Sequence, residues 1–282
     1  MNAMAKLPLI QSPAVPAIDS RELLNLDLEG LAKAYREADP FPHAVLDGLF
    51  PDDLLRAMVA EIRTGDDTLE KNHYGTFQKH RISDISRLGP TTRRFVEELN
   101  SAPFLKFMEK LTGIEALVPD PLLEGGGVHQ IAAGGFLKVH TDFNWHRILQ
   151  LHRRINILIY LNEDWKEEWN GHLELWDDRM ERCGARVAPL FNRMVVFSTT
   201  DKSYHGHPDK LACPESVRRN SIALYYYTAT RPASEIEFGE SVLTNYRERP
   251  EEAFQGGRLK HRLHQAMLRF PLLRKAVGLV RR

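Results

Sequence analysis

His140 and Asp142 stand two positions apart in the stretch Gly134-Gly135-Phe136-Leu137-Lys138-Val139-His140-Thr141-Asp142. On an extended strand, side chains two apart point the same way, so an imidazole and a carboxylate here converge on one point that suits a metal ion. Two ligands leave such a site incomplete. The best third donor is His205 in Ser203-Tyr204-His205-Gly206-His207, with His207 its rival two positions on. Two histidines and one carboxylate bind one face of an octahedral ion and leave the other face open, as non-haem Fe(II) oxygen chemistry requires. The plainer reading is a hydrogen-bonded surface pair and a turn histidine, because an H-x-D triplet is common by chance.

A second run shifts that balance. Arg218-Arg219-Asn220-Ser221-Ile222-Ala223-Leu224-Tyr225-Tyr226-Tyr227 is strongly strand-forming and begins with cations. Arg219, Ser221, Ala223 and Tyr225 share one strand face, and an arginine fork beside a hydroxyl is a good receiver for a carboxylate. A buried Arg without a partner is expensive, which gives Arg219 a reason to meet a ligand. Arg218 suits a solvent-facing strand end.

These residues need elements to hold them. Leu28, Leu31, Ala32 and Tyr35 recur at helical spacing. Pro51-Asp52-Asp53 opens a second helix with Leu54, Leu55, Met58, Val59 and Ile62 as its stripe. Residues 91–100 and 102–111 read as two more helices, and 41–47 as a short strand between the first pair. Gly65 to Gly89 is polar and charged, and reads as a loop able to cover a site. After Gly125-Gly126-Gly127 short apolar runs dominate: 128–132, 136–140, 155–161, 172–176, 194–198 and 219–228. Asn170-Gly171 and Phe191-Asn192-Arg193 supply hairpin chemistry between them. Many strands at this spacing indicate a sandwich or barrel with the helices laid on one sheet.

Composition narrows the function classes. The chain has 282 residues, with 38 Lys plus Arg against 38 Asp plus Glu, so nothing global points to nucleic acid and the partner is expected to be a small molecule. Cys183 and Cys213 form no CxxC or disulfide framework, which suits a reducing cytoplasm. No run of about eighteen apolar residues predicts a transmembrane helix. Residues 1–20 read as a disordered leader, 21–250 as one domain with its core at about 125–230, and 251–282 as a basic amphipathic helical tail. From Arg258 to Arg282 it carries eight basic residues, Arg258, Lys260, Arg262, Arg269, Arg274, Lys275, Arg281 and Arg282, and no acid. Such a tail is able to dock on anionic lipid, although a helix packed on its own domain is the plainer reading.

The order H-x-D, then His, then R-x-S on a following strand resembles the Fe(II)/2-oxoglutarate-dependent oxygenases, in particular their prolyl-4-hydroxylase-like branch. Arg153-Arg154-Ile155-Asn156-Ile157-Leu158-Ile159-Tyr160-Leu161-Asn162-Glu163-Asp164-Trp165, followed by Gly171-His172-Leu173-Glu174-Leu175, is similar to the same branch. The resemblance spans about residues 125 to 230. It implies a mainly β core of α+β class, a double-stranded β-helix or cupin-like jelly roll, with N-terminal helices on one sheet and a C-terminal helix. It implies Fe(II), 2-oxoglutarate and O2 as cofactor and cosubstrates, with His140, Asp142 and His205 as iron ligands and His205 preferred over His207. Arg219, helped by Ser221 and Tyr160, would take the distal carboxylate of 2-oxoglutarate, and Asn156 would line the pocket. Where relatives place a tyrosine before H-x-D, this chain has Gln130 or Ile131, and Gln130 is the candidate donor to the metal-proximal end of the cosubstrate. Related halogenases carry a small residue at the position of Asp142, so the resemblance with the carboxylate present favours hydroxylation, with desaturation or ring formation as the alternatives.

Among the remaining histidines, His146 has the best position to touch substrate, and Phe143-Asn144-Trp145 are placed to wall the entrance. Trp165, Trp169 and Trp176 read as packing. Two other classes fit the metal ligands alone: a jelly-roll module that holds a metal without redox chemistry, and a Zn hydrolase with a bound water. A hydrolase has no use for the Arg219 and Ser221 receiver. The substrate class expected is an amino-acid-like, sugar-linked or other small metabolite, with a peptidyl residue such as proline as the alternative.

Overall fold

The computed structural model describes residues 19–62, 74–237, 239–250 and 252. The expected leader (apart from its last two residues), the first part of the expected 65–89 loop and the basic tail apart from Glu252 lie outside these residues.

Four helices come first: α1 (Leu28–Glu37), α2 (Asp52–Glu61), α3 (Pro90–Leu99) and α4 (Ala102–Thr112). Each begins where the chemistry of its first residues demands. The Asp27 carboxylate accepts from the Gly30 N–H at the start of α1, and Pro51 caps α2. Gly89 offers α3 no side-chain oxygen. The Glu61 carboxylate from the end of α2 takes the Thr91 and Thr92 N–H groups instead, at 2.8 and 2.9 Å, which ties the two helices together. Gly113 ends α4 in the left-handed region at φ 73°.

Twelve strands follow or interleave: β1 (His43–Asp47), β2 (Thr76–Ile82), β3 (Val118–Pro119), β4 (Gly127–Thr141), β5 (Trp145–His146), β6 (Leu151–Tyr160), β7 (Leu173–Trp176), β8 (Cys183–Val187), β9 (Arg193–Ser198), β10 (Tyr204–His207), β11 (Arg219–Thr228) and β12 (Asn245–Tyr246). They form one antiparallel sheet in the order β1-β9-β6-β11-β4-β10-β7-β8, with β2 and β12 on β4, β3 on β11 and β5 on β6. The sheet curls into the nearly closed double-stranded β-helix.

Strand periodicity divides the molecule. On β6, Ile155, Ile157 and Ile159 face the helices, where they pack with Leu55, Met58, Phe95, Phe104 and Met108. Asn156, Leu158 and Tyr160 face the opposite way, into the barrel. The expectation of helices against one sheet holds. On β11 the same split sends Ile222, Leu224 and Tyr226 to the helices and leaves Ser221, Ala223 and Tyr225 on the barrel side.

Three expectations are corrected. Thr76–Ile82 is a strand, not loop: it pairs along β4 from Leu137 to Val128. Residues 128–132 and 136–140 are one continuous strand, β4, rather than two. Asn170, Gly171 and Asn192 do adopt positive φ (59°, 77° and 56°), but they join strands that are not neighbours; β7 and β8 form the paired hairpin instead.

Candidate metal centre and its cavity

The structure brings His140, Asp142 and His205 together: one ligand-type atom from each lies within 4.8 Å of the others. His140 and Asp142 come from the end of β4, and His205 faces His140 directly across the β4–β10 ladder. The two imidazole centroids are 4.5 Å apart. His140 Nδ1 lies 2.8 Å from the Lys138 carbonyl and His205 Nδ1 lies 2.9 Å from the Ser203 carbonyl. A carbonyl only accepts, so each Nδ1 donates, which leaves Nε2 as the nitrogen available to a metal. Both Nε2 atoms point at Asp142, at 3.5 Å for His140 and 3.3 Å for His205. Two imidazole nitrogens and one carboxylate aimed at a common point fit a divalent metal.

A β-bulge sets this geometry. His205 faces His140 while His207 faces Leu137, so two steps on β10 span three on β4. The backbones approach so closely at Gly206 that an added Cβ would lie 2.8 Å from the carbonyl oxygens of both Leu137 and Lys138. The bulge also reverses which residues of β4 face inward. Leu137, Ile131 and His129 line the cavity beside the metal ligands, and Gln130 does not. Its amide instead donates to Asn220 Oδ1 at 3.1 Å on the neighbouring strand. Of the two residues the resemblance offered for the metal-proximal end of the cosubstrate, Gln130 thus lies outside the cavity and Ile131 lines it.

Electrostatics around the ligands favour their metal-binding forms. Burial pushes the Asp142 carboxyl up, but Arg153, His205 and His140 outweigh it and hold it well below the usual carboxylate range. Burial, then repulsion from His205, lowers His140 and keeps it neutral. His207 lines the cavity on the same strand, 3 % exposed, yet it is no part of the three-residue cluster.

Arg219 lines the same cavity, 4 % exposed. Its Nε donates to the Gly171 carbonyl at 2.7 Å and its Nη2 to Tyr160 Oη at 3.2 Å. No carboxylate among the described residues pairs with it, and burial lowers its pKa despite the Tyr160 contribution. Ser221 lines the cavity beside it, and Tyr160, 0 % exposed, sits beneath the guanidinium and fixes its direction. Asn156 lines the cavity as expected, with its amide committed to Asp142 Oδ2 at 2.7 Å. The whole space measures about 220 Å³.

Several lining residues were not foreseen. Arg153, 1 % exposed, places Nη2 3.0 Å from Asp142 Oδ2. Lys79 and Arg81 on β2 also face the cavity, across from Ile131 and His129. Tyr246 on β12 packs its ring 5.4 Å from that of His140. Phe143 walls the cavity as expected, whereas Asn144 is buried against Asp201 and Trp145 packs on His152. His146 is corrected: it is fully buried between Asp120 and Glu124, away from the cavity. Both cysteines are free, Trp165 and Trp169 pack edge to face, Trp176 is buried, and no helix among the described residues is long and apolar enough to cross a membrane.

Residues 126–227, which carry all of these ligands, match the family model described as the 2OG-Fe(II) oxygenase superfamily. No curated protein sequence matches the chain. Among solved structures, a prolyl 4-hydroxylase from Phytophthora capsici is 18 % identical with a TM-score of 0.53, over 91 % of this chain and 77 % of that one. A Pseudomonas putida prolyl-4-hydroxylase is 17 % identical with a TM-score of 0.48, over 72 % of this chain and 100 % of its own. HygX from Streptomyces hygroscopicus, solved with nickel, 2-oxoglutarate and hygromycin B, is 14 % identical with a TM-score of 0.46, over 73 % and 92 %. At 18 % identity the likeness to the Phytophthora capsici structure is one of fold.

Proposed function

We propose that this 2OG-Fe(II) oxygenase hydroxylates an unactivated C–H bond of a small amino-acid-like, sugar-linked or related metabolite. The observation that carries the reading is Arg219: a buried cation with no carboxylate partner among the described residues, facing the same cavity as a two-His, one-Asp cluster. A metal that only hydrolysed or only stabilised the fold would leave that cation's burial without a purpose.

His140 and His205 would offer Nε2 to the iron, and Asp142 its charge. When bound, Fe(II) with 2-oxoglutarate and O2 supplies the oxidising power, the cosubstrate leaving as succinate and CO2. Arg219 and Ser221 receive the distal carboxylate, and the Tyr160 hydroxyl keeps the guanidinium aimed. With that end anchored, the keto-acid end is directed toward the three ligands. Phe143, Tyr225 and Tyr246 line the remaining wall with aromatic surface, which keeps water from the reacting C–H bond. Balanced overall charge and the modest cavity support a small substrate.

The test has two stages. Anaerobic addition of Fe(II) and 2-oxoglutarate should produce a weak visible charge-transfer band; no band, with zinc held tightly, would favour the hydrolase. Pools of small metabolites and of peptides are then screened for stimulated succinate release. Stimulation by peptides alone would replace the small-molecule assignment with a peptidyl one.

A further inference from the structure

We propose that the substrate is a small anion, and that Lys79 and Arg81 on β2 receive its carboxylate or phosphate group inside the cavity. The proposal rests on the oxygenase reading above and narrows its substrate class.

The register across three strands places these two cations. Arg219 of β11 faces Ile131 of β4, and Ile131 faces Lys79 of β2; one row further, Ser221 faces His129, and His129 faces Arg81. Residues directly opposite on an antiparallel ladder project to the same side, and all six line the cavity. Neighbouring strands lie about 4.8 Å apart, so the β2 cations stand about 10 Å across from the Arg219 and Ser221 pair at the backbone. Lys79 and Arg81 are about 7 Å apart along their strand. Two long side chains close that gap around one oxyanion. Lys79 to Ile82 pair residue for residue with Ile131 to Val128, which holds both half-buried side chains on an ordered wall.

Charge decides what fits there. Among the described residues that line the cavity, four are cations, Lys79, Arg81, Arg153 and Arg219, and one, Asp142, is an acid. Arg153 is engaged: its guanidinium lies 3.0 Å from Asp142 Oδ2 and stacks 3.4 Å from the Tyr225 ring centroid and 4.6 Å from that of Phe143. Arg219 is assigned to the cosubstrate. Fe(II) adds two positive charges and 2-oxoglutarate two negative ones, so loading both leaves the cavity as positive as before. The field of the β2 cations reaches inward. Burial first, then Lys79 and Arg81, hold His129 well below the usual histidine range, and Arg81 works against the burial that raises Tyr225. Like charges gathered around one poorly solvated space repel. An anion entering between them relieves that repulsion, whereas a neutral substrate leaves it in place. A substrate anchored at its anionic end on β2 keeps its remaining carbons in the cavity that contains the three ligands.

The test uses the full-length protein loaded with Co(II) and saturated with 2-oxoglutarate, and reads Kd by calorimetric titration of matched probes. These are L-proline with L-prolinamide, glucuronate with glucose, and glucose 6-phosphate with glucose. The anion of at least one pair should bind about tenfold or more tightly than the counterpart that lacks it; a preference in the first two pairs marks a carboxylate, in the third a phosphate. Lys79→Gln and Arg81→Gln should each cut the preference at least about threefold, and together bring it to about one. The single changes carry the test should the double variant not fold. Lys79→Arg and Arg81→Lys should keep the preference within about threefold, and the Kd for 2-oxoglutarate, measured beforehand on the Co(II) protein, should stay within about threefold in every variant. No anion preference in any pair, or one that survives loss of the cations, would overturn the proposal. So would a 2-oxoglutarate Kd that rises as the cations are removed, which would give them to the cosubstrate. Failure of the wild type to bind 2-oxoglutarate at all would instead remove the oxygenase reading.

Discussion

Replacing Arg219 with Met should move binding and stability in unlike ways. In the folded protein Arg219 is a desolvated cation, its charged form disfavoured by burial and only partly compensated by Tyr160. Met fills similar length without charge. The replacement gives up the bond to the Gly171 carbonyl at 2.7 Å, and an orphaned buried acceptor costs about 1–3 kcal/mol. Relief of the buried charge offsets a similar amount. The melting temperature of the metal-free protein should therefore stay within about 3 °C, given roughly 2–4 °C per kcal/mol for a chain near this size. Binding of 2-oxoglutarate has no such offset. Truncating one partner of a buried, hydrogen-bonded charge pair costs about 2–5 kcal/mol, or roughly 30- to several thousand-fold in Kd. The assay is an anaerobic titration of 2-oxoglutarate into the Fe(II) protein, followed by its visible band, beside a thermal melt without metal. A Kd within about threefold of wild type would refute the assignment, and a collapse of the melt would show that Arg219 serves the fold.

Three further outcomes are expected. Asp142→Ala should abolish substrate-dependent succinate formation; an unchanged rate would remove Asp142 from the ligand set. His129 and His207 are held neutral, by burial first and then by Lys79 with Arg81 for His129 and by Arg219 with Lys79 for His207. The unfolded chain takes up a proton at each as pH falls through about 6.5 and the folded chain does not. Stability is thus full above that pH and lost below it, by about 1.4 kcal/mol per unit for each histidine; urea midpoints of the metal-free protein that stay level from pH 7.5 to 5.5 would contradict this. Glu61→Ala removes the cap that α2 lends to α3 and should cost about 1 kcal/mol in denaturant unfolding. Burial raises the Glu61 carboxyl, but its bonds to Thr91 and Thr92 lower it on balance, so its contribution is present above about pH 4.5 and fades as pH falls through the lower folded value. Equal unfolding of variant and wild type at pH 7 would count against the cap.

The sequence made some of this legible and concealed the rest for identifiable reasons. His140, Asp142 and the Arg219–Ser221 pair could be found because each lies within one strand, where a period of two fixes the facing. The four helices were legible through their caps and stripes. Strand β2 was hidden: Gln78 takes φ 52° inside it, breaking the alternation of Thr-Phe-Gln-Lys-His-Arg-Ile, and its side chains are mostly polar. The choice between Gln130 and Ile131 could not be made from β4 alone, because the bulge between Leu137 and His140 shifts the facing of that strand and belongs to its pairing with β10. Arg153 read as one of two adjacent arginines at a strand start. Its meaning comes from Phe143 and Tyr225, which reach it from elements far apart in the chain.

Gly206 shows how a site can depend on a residue that contributes no side chain to it. The carbonyl of Lys138 that would meet a methyl group there is the same one that holds the His140 proton on Nδ1. A Gly206→Ala change would remove no donor, charge or cavity wall, yet it would push on the oxygen that aims one ligand while sitting beside the other. A variant of this kind would leave every ligating residue intact in an alignment and still disarm the protein. Judged by residue types alone it would pass as harmless.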